Sequence, residues 1–460
     1  MLFKAISKRK FVLLGGDIFI ILLSTFLGFY LRLGREEFFN YLNVYTWVSP
    51  INLLILLIVL CITDLNNPQQ NFKTLRGITK FTVSVLMGKI FVVFILYGLT
   101  YYHYGRGIFL IEILILIPLL WFWRIFFNLF FKAAIKPKRI LLLGKDWVSE
   151  TLYEVLRENP EYRVLGLING ETQVTGNPFP TSLPVLDLEG VEEKIREGAL
   201  DAIVIDLMEE KSQTFWQKLL RFKICGVDII GALDLYQDLT GKIPICHVDD
   251  RWLVYGPGYW LLKSHFIQRA KRLFDFGISL LSLPIALALM GLIALAIKLD
   301  SPGPVFYRQR RIGLDEKEFD LIKFRTMVQS AEKETGAVWA KENDSRITRV
   351  GKPLRLTRLD ELPQLFNVLK EEMSFVGPRP ERPEFVKELT GKIPYYSFRH
   401  SIKPGITGWA QINYRYGASV KDAAEKLQYD LFYIQNMSIL LEIRILLKTI
   451  SVVIFGKGSR

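Results

Sequence analysis

Cysteine is scarce in this 460-residue chain: Cys61, Cys225 and Cys246 are the whole complement, and no two are spaced to pair or to share a metal. That excludes a disulfide scaffold and a zinc cluster, and suits reduced thiols in a cytoplasmic setting. A dinucleotide fingerprint is lacking too. The apolar run Ile140-Leu141-Leu142-Leu143 leads into Gly144-Lys145-Asp146-Trp147, with no second or third glycine. A bulky Trp stands where a backbone should approach a pyrophosphate, which argues against NAD. The Tyr-x-x-x-Lys pair of an NAD-dependent epimerase or dehydratase finds no convincing place either. Nor is there a separate basic domain. The formal charge is +13, but the cations flank apolar segments. This speaks against nucleic acid and for anionic lipid or an anionic substrate.

Apolar residues are abundant, at 50% of the chain, and unevenly spread. Phe11–Leu31, Trp47–Ile62, Phe81–Tyr101 and Ile108–Phe131 are each about long enough, or nearly so, to cross a hydrocarbon layer as a helix, the second being the shortest. Residues 1–132 are therefore read as a four-helix transmembrane domain. The first run has no convincing small-residue cleavage site and is read as a retained anchor. Lys4, Lys8, Arg9 and Lys10 precede it; Lys73, Arg76 and Lys80 lie between the second and third runs, and Lys132, Lys136, Lys138 and Arg139 follow the fourth. The positive-inside rule puts both ends of the bundle in the cytoplasm. Asp17, Glu112 and Arg124 within the spans are expected to make helix–helix contacts.

Residues 133–260 change to short β-rich runs alternating with helical ones. Strands are expected at 140–144, 162–167 and 227–230, a further element at 202–205, and helices at 149–158 and 214–222. The alternation predicts a doubly wound, Rossmann-like α/β domain whose role is not legible. A fifth apolar run, Phe276–Ile297, has cations on both flanks: Arg269, Lys271 and Arg272 before, Lys298, Arg308, Arg310 and Arg311 after. Pro284 removes a helical hydrogen bond, and Ser282 can satisfy a freed carbonyl. The run is read as a re-entrant helix, 273–298, with both ends cytoplasmic.

Val305–Arg311 and Glu318–Phe324 flank Gly313-Leu314-Asp315-Glu316-Lys317, a cation-rich β-hairpin. Further on, Arg355-Leu356-Thr357-Arg358-Leu359 precedes the acidic doublet Asp360-Glu361. Pro363 belongs in a first turn, so a helix is expected to begin near Asp360, with its positive end toward the carboxylates. The segments 420–435 and 438–455 are predicted helical, the last one suited to the membrane interface.

In order along the chain, these residues resemble the bacterial sugar transferase family, the polyprenyl-phosphate hexose-1-phosphate transferases. The matching pieces are Lys271-Arg272-Leu273-Phe274-Asp275, Pro302-Gly303-Pro304-Val305-Phe306, Lys323-Phe324-Arg325-Thr326-Met327, Leu359 through Leu369, Ser374 through Pro380, and Lys403 through Trp409. Together they cover essentially all of residues 266–460, a mainly α catalytic domain. The preceding portions look like the long-form members by layout. The resemblance implies transfer of a sugar-1-phosphate from a UDP-sugar to membrane undecaprenyl (polyprenyl) phosphate, releasing UMP, as the first step of exopolysaccharide or O-antigen synthesis. It implies Asp360 as nucleophile, forming an aspartyl phosphosugar, and Asp360 with Glu361 as holders of Mg²⁺. Arg355 and Arg379 match arginines expected on phosphate oxygens; Lys323, Arg325 and Asp430 also match the pattern. Family frequency favours UDP-glucose, then UDP-galactose, and a homodimer is compatible. The expected place is the bacterial inner membrane, multi-pass, with the catalytic domain on the cytoplasmic face. The rival reading is a non-catalytic membrane scaffold, which would have no need of the intact charged set.

Overall fold

The computed structural model describes residues 8–63, 65, 74–99, 105–134, 137–143, 148–168, 183–206, 212–248, 250–255, 264–328, 346–414, 417 and 419–454. Two compact units emerge, Met1–Lys136 and Pro137–Arg460.

The first unit consists of α1 (Lys8–Asn40), α2 (Leu42–Ile62), α3 (Leu75–Leu99) and α4 (Arg106–Ala134). Each contains a stretch long and apolar enough to span a membrane. The first runs nine residues past the expected Leu31, breaking its helical backbone at Gly34 (φ 76°, ψ 175°). The unit has two buried apolar clusters, a leucine-rich one around Leu56 and Leu120 and one of phenylalanine, valine and isoleucine around Phe29 and Val92. Buried among them is a polar knot to which every helix contributes one residue: Thr25, Asn52, Lys89 and Glu112. Lys89 Nζ lies 2.7 Å from Glu112 Oε1. Asn52 Nδ2 donates to Thr25 Oγ1 and Glu112 Oε1, and its Oδ1 accepts from Lys89. Elsewhere in the bundle Arg124 pairs with Asp17 at 2.8 Å. Asp17, Glu112 and Arg124 thus all sit in helix–helix contacts; Lys89 had not stood out in the sequence.

The second unit opens with a parallel sheet of β1 (Lys138–Leu143), β2 (Tyr162–Ile168), β3 (Val185–Leu186), β4 (Ala202–Ile205) and β5 (Asp228–Gly231), in the order β3-β2-β1-β4-β5. This is the doubly wound arrangement the alternation predicts. Residues 144–147, the glycine-poor loop, lie outside the described residues. The helices are α5 (Tyr153–Glu158), α6 (Leu188–Arg196), α7 (Gln213–Ile224), α8 (Ala232–Thr240) and α9 (Asp250–Tyr255). Because side chains alternate across a strand, Leu141, Leu143, Ile203 and Ile205 face α7, while Ile140, Leu142, Ala202 and Val204 face the other way. That second layer is continuous with Val376, Trp409, Leu431 and Tyr433, so sheet and C-terminal half share one apolar core.

The C-terminal half contains α10 (His265–Asp300), the antiparallel hairpin β6 (Phe306–Ile312) and β7 (Glu318–Phe324), α11 (Gly351–Thr357), α12 (Gln364–Leu369), β8 (Ser374–Val376), α13 (Pro383–Lys392), β9 (Gly405–Thr407), α14 (Trp409–Asn413), α15 (Val420–Gln435) and α16 (Ile439–Ile454). Helix α10 is assigned as one helix through Pro284. Ser282 Oγ donates to Ile278 O at 2.8 Å. The carbonyl that Pro284 leaves without its helical donor belongs to Leu280, so the serine does not fill the place expected of it. Both ends of α10 are tied to the same half of the chain. Near its start, Lys271 Nζ donates to Val376 O, Arg272 donates to Val368 O, and Asp275 accepts from Phe375 N. At its far end Asp300 accepts from Val350 N, and Arg325 donates to Ser301 O and Pro302 O. Between these anchors Leu281, Ile285 and Leu292 are exposed, while Met290 and Ile297 pack against Phe324 and Leu354.

Candidate active site

Arg358 caps α11 in a left-handed backbone conformation (φ 56°, ψ 18°) and turns the chain sharply. A 3₁₀ turn, Leu359–Glu361, follows, and α12 begins only at Gln364 after Pro363. The expectation of a helix starting near Asp360 is corrected here. The doublet lies in the turn before α12, so the carboxylates answer to side-chain cations and not to the dipole of a six-residue helix.

Glu361 is 8% exposed, and its Oε1 takes both Arg379 Nη2, at 2.7 Å, and Lys323 Nζ, at 3.0 Å. Lys323 comes from the inner end of β7. Arg379 comes from the loop Gly377-Pro378-Arg379-Pro380, which leaves β8 where it runs beside β9. A Cβ on Gly405 would come within 2.1 Å of Gly377 N, so this approach of two backbones requires glycine. Arg355 Nε donates to Thr326 Oγ1 at 2.9 Å. Arg311, Lys323, Gln364 and Arg379 line a small depression beside the doublet.

The two carboxylates are driven apart in acidity. Burial pushes the Asp360 carboxyl up, and the neighbouring Glu361 charge adds to this against Lys323, Arg379 and Arg355. Burial also acts upward on Glu361, but Arg379, Lys323 and Arg358 together hold it well below the usual carboxylate range. Among the described residues, the Asp360 carboxylate makes no hydrogen bond or ion pair, whereas Glu361 is doubly engaged. Paired groups separated in this way are suited to separate tasks. One is a buttressed anion; the other is a carboxylate with no side-chain partner among the described residues and a raised affinity for a proton.

No cluster of three or more metal-ligating side chains occurs among the described residues. Two adjacent carboxylates still fit Mg²⁺, which commonly takes one or two protein carboxylates and fills its shell with water and substrate phosphate.

A family profile described as bacterial sugar transferase matches residues 266–456. The chain is 38% identical over 290 residues to the UDP-N-acetylgalactosamine-undecaprenyl-phosphate N-acetylgalactosaminephosphotransferase of Aeromonas hydrophila, covering 62% of this chain and 67% of that protein. The chain belongs to the bacterial sugar transferase family. Other relatives of this transferase match over smaller shares of this chain. It is 44% identical to the UDP-glucose:undecaprenyl-phosphate glucose-1-phosphate transferase of Xanthomonas campestris pv. campestris over 48% of its own length and 44% of the relative's. It is 40% identical to the exopolysaccharide production protein PSS of Rhizobium leguminosarum bv. phaseoli over 41% of its own length and 97% of the relative's.

Within the transferase the structure brings Asp360, Glu361, Lys323 and Arg379 together, with Arg355 near enough to act on Asp360 electrostatically. It does not bring Arg325 or Asp430 into that cluster. The Arg325 guanidinium is buried and spent on the carbonyls of Ser301 and Pro302, fastening the end of α10 to the end of β7. Asp430 is 1% exposed and paired with Arg399 at 2.9 Å; burial lifts its carboxyl to about 6 against the pull of that arginine. Arg399 also donates to Tyr396 Oη and, at 3.0 Å, to the backbone oxygen of Arg379. Asp430 therefore reaches the site through Arg399 and the loop. Sequence reasoning missed Arg399, which sits in Tyr396-Ser397-Phe398-Arg399-His400 with no motif to mark it. In the sequence Arg358 is only a cation next to the doublet; its nearness to Asp360, Glu361 and Arg379 depends on its left-handed backbone.

Proposed function

We propose that the protein transfers a sugar-1-phosphate from a UDP-sugar to undecaprenyl phosphate, yielding the undecaprenyl diphosphate sugar and UMP. The observation that carries this reading is the Asp360–Glu361 doublet, one carboxylate uncommitted and the other clamped by Lys323 and Arg379. In the first displacement an Asp360 oxygen attacks the sugar-bearing phosphorus. The bond from that phosphorus to the bridging oxygen breaks, and UMP leaves with the electron pair. In the second, a phosphate oxygen of the lipid acceptor attacks the same phosphorus, and the acyl phosphate bond breaks to restore Asp360. No proton need be supplied in either step, so the demand on the protein is charge control and alignment. Lys323, Arg379 and Arg355 answer that demand: the planar forks suit phosphate oxygens in pairs, the ammonium serves as a point charge. Mg²⁺, held by Asp360 and Glu361, would supply further neutralisation of the diphosphate.

Donor choice follows the relatives, whose names specify UDP-glucose and UDP-N-acetylgalactosamine. A panel of these two with UDP-galactose, assayed with Mg²⁺ and undecaprenyl phosphate, is expected to show UMP release for at least one, dependent on the lipid. Silence across the panel would sink the reaction.

The same proposal places the enzyme in the bacterial inner membrane with α10 entering and leaving the cytoplasmic face, serving the first step of exopolysaccharide or O-antigen assembly. A straight 36-residue helix would be about 54 Å long against a hydrocarbon core of about 30 Å. If it crossed, the anchors of Lys271 and Asp275 at one end and Asp300 at the other could not all stay on one domain. In a background lacking native cysteines, His265→Cys and Pro304→Cys are expected to react with an impermeant maleimide from the cytoplasmic side. Labelling from opposite sides would refute the re-entrant path.

A further inference from the structure

The corner after α8 meets the half of the chain that carries the proposed chemistry through unusually specific contacts. Gly241 closes α8 in the left-handed region (φ 66°), and its carbonyl accepts from Trp409 Nε1 at 2.9 Å. Lys242 Nζ pairs with Glu425 Oε2 at 2.8 Å and stands 5.1 Å above the Tyr429 ring. Ile243 N donates to the backbone oxygen of Gln428. Glu425, Gln428 and Tyr429 form one face of α15, at i, i+3 and i+4. Asp430, on the adjacent face of the same turn, grips Arg399, which donates to the Arg379 carbonyl. One rigid helical turn thus joins the sheet domain on one side to the Arg379 loop on the other.

We propose that Lys242, with the Gly241 turn, is a positioning residue for the transferase site: the α/β domain fixes α15, and α15 fixes Arg379 over Glu361 through Asp430 and Arg399. This gives the domain without a nucleotide fingerprint a task, and it rests on the transfer reaction proposed above. A small misplacement at a phosphate-transfer site is costly to turnover, even when it originates away from the chemistry.

The full-length enzyme in nanodiscs tests it with two readouts. In Lys242→Ala, kcat for UMP release is expected to fall roughly tenfold with little change in KM for the donor and an unchanged melting midpoint. Lys242→Arg should restore kcat, since it keeps the charge for Glu425. Gly241→Ala should act like Lys242→Ala, because its Cβ would stand 3.0 Å from the Trp409 ring at a positive φ. Independently of activity, hydrogen exchange over residues 396–401 and 426–433 should rise in Lys242→Ala. Parent-like exchange there, or parent-like kcat in both Lys242→Ala and Gly241→Ala, overturns the positioning role. Faster exchange alongside a parent that releases no UMP would uphold the mechanical link and instead discard the transfer reaction.

Discussion

Asp360→Asn is expected to reduce UMP release by at least about a thousandfold and to leave no phosphosugar on the protein after incubation with a sugar-labelled donor. The substitution is nearly isosteric. It exchanges one carboxylate oxygen for a neutral amide nitrogen that cannot attack phosphorus, and it removes a charge at a position where no described residue depends on it for a hydrogen bond. The fold should therefore survive, and the loss should appear in kcat. Glu361→Gln provides the contrast. It strips the counter-charge from Lys323 and Arg379 together, both of which bond its Oε1, so donor binding and site geometry should suffer as well. A parent-like rate or a retained covalent adduct in Asp360→Asn would remove this residue from the nucleophile role. A lost adduct only in Glu361→Gln would move the role to its neighbour.

The spans, the sheet and the hairpin were legible because their signals are local. A run of twenty apolar residues, a buried strand such as Ala202–Ile205, and alternation around Gly313–Lys317 each announce themselves within a short window. The doublet was legible as residues but not as geometry. Nothing in Thr357-Arg358-Leu359 signals a left-handed arginine, a conformation rare outside glycine and asparagine, and it is this residue that moves the doublet out of α12 and into a tight turn. Arg325 enters the candidate set through its match to the family pattern, two residues from Lys323. On a strand that spacing puts both on one face, but β7 ends at Phe324, and past its end Arg325 turns to the carbonyls closing α10. Arg399 and the shared core between sheet and catalytic half arise from pairings tens to hundreds of residues apart, which no window contains.

Lys89 was hidden for the same reason, and it carries the second large effect. Lys89→Met is expected to destabilise the helical bundle by about 3–5 kcal/mol. The lysine is fully buried in a span, and its ammonium meets Glu112 Oε1 while bonding Asn52 Oδ1. Asn52 uses its other end on Thr25 and Glu112, so the four helices are joined at one place by groups that have no water to fall back on. Methionine fills much of the volume but leaves the Glu112 carboxylate without its cation, and this uncompensated charge, more than the missing contact, sets the cost. The double variant Lys89→Met with Glu112→Gln should therefore recover much of the loss, since removing both members of a buried pair is often nearly neutral. Denaturant titration of the full-length protein in detergent, followed through the accessibility of a cysteine placed at buried Leu56 of α2 in a background lacking native cysteines, reports on the bundle itself. A single variant as stable as the parent, or a double variant no better than the single, would show that the knot is not an ion pair the bundle depends on.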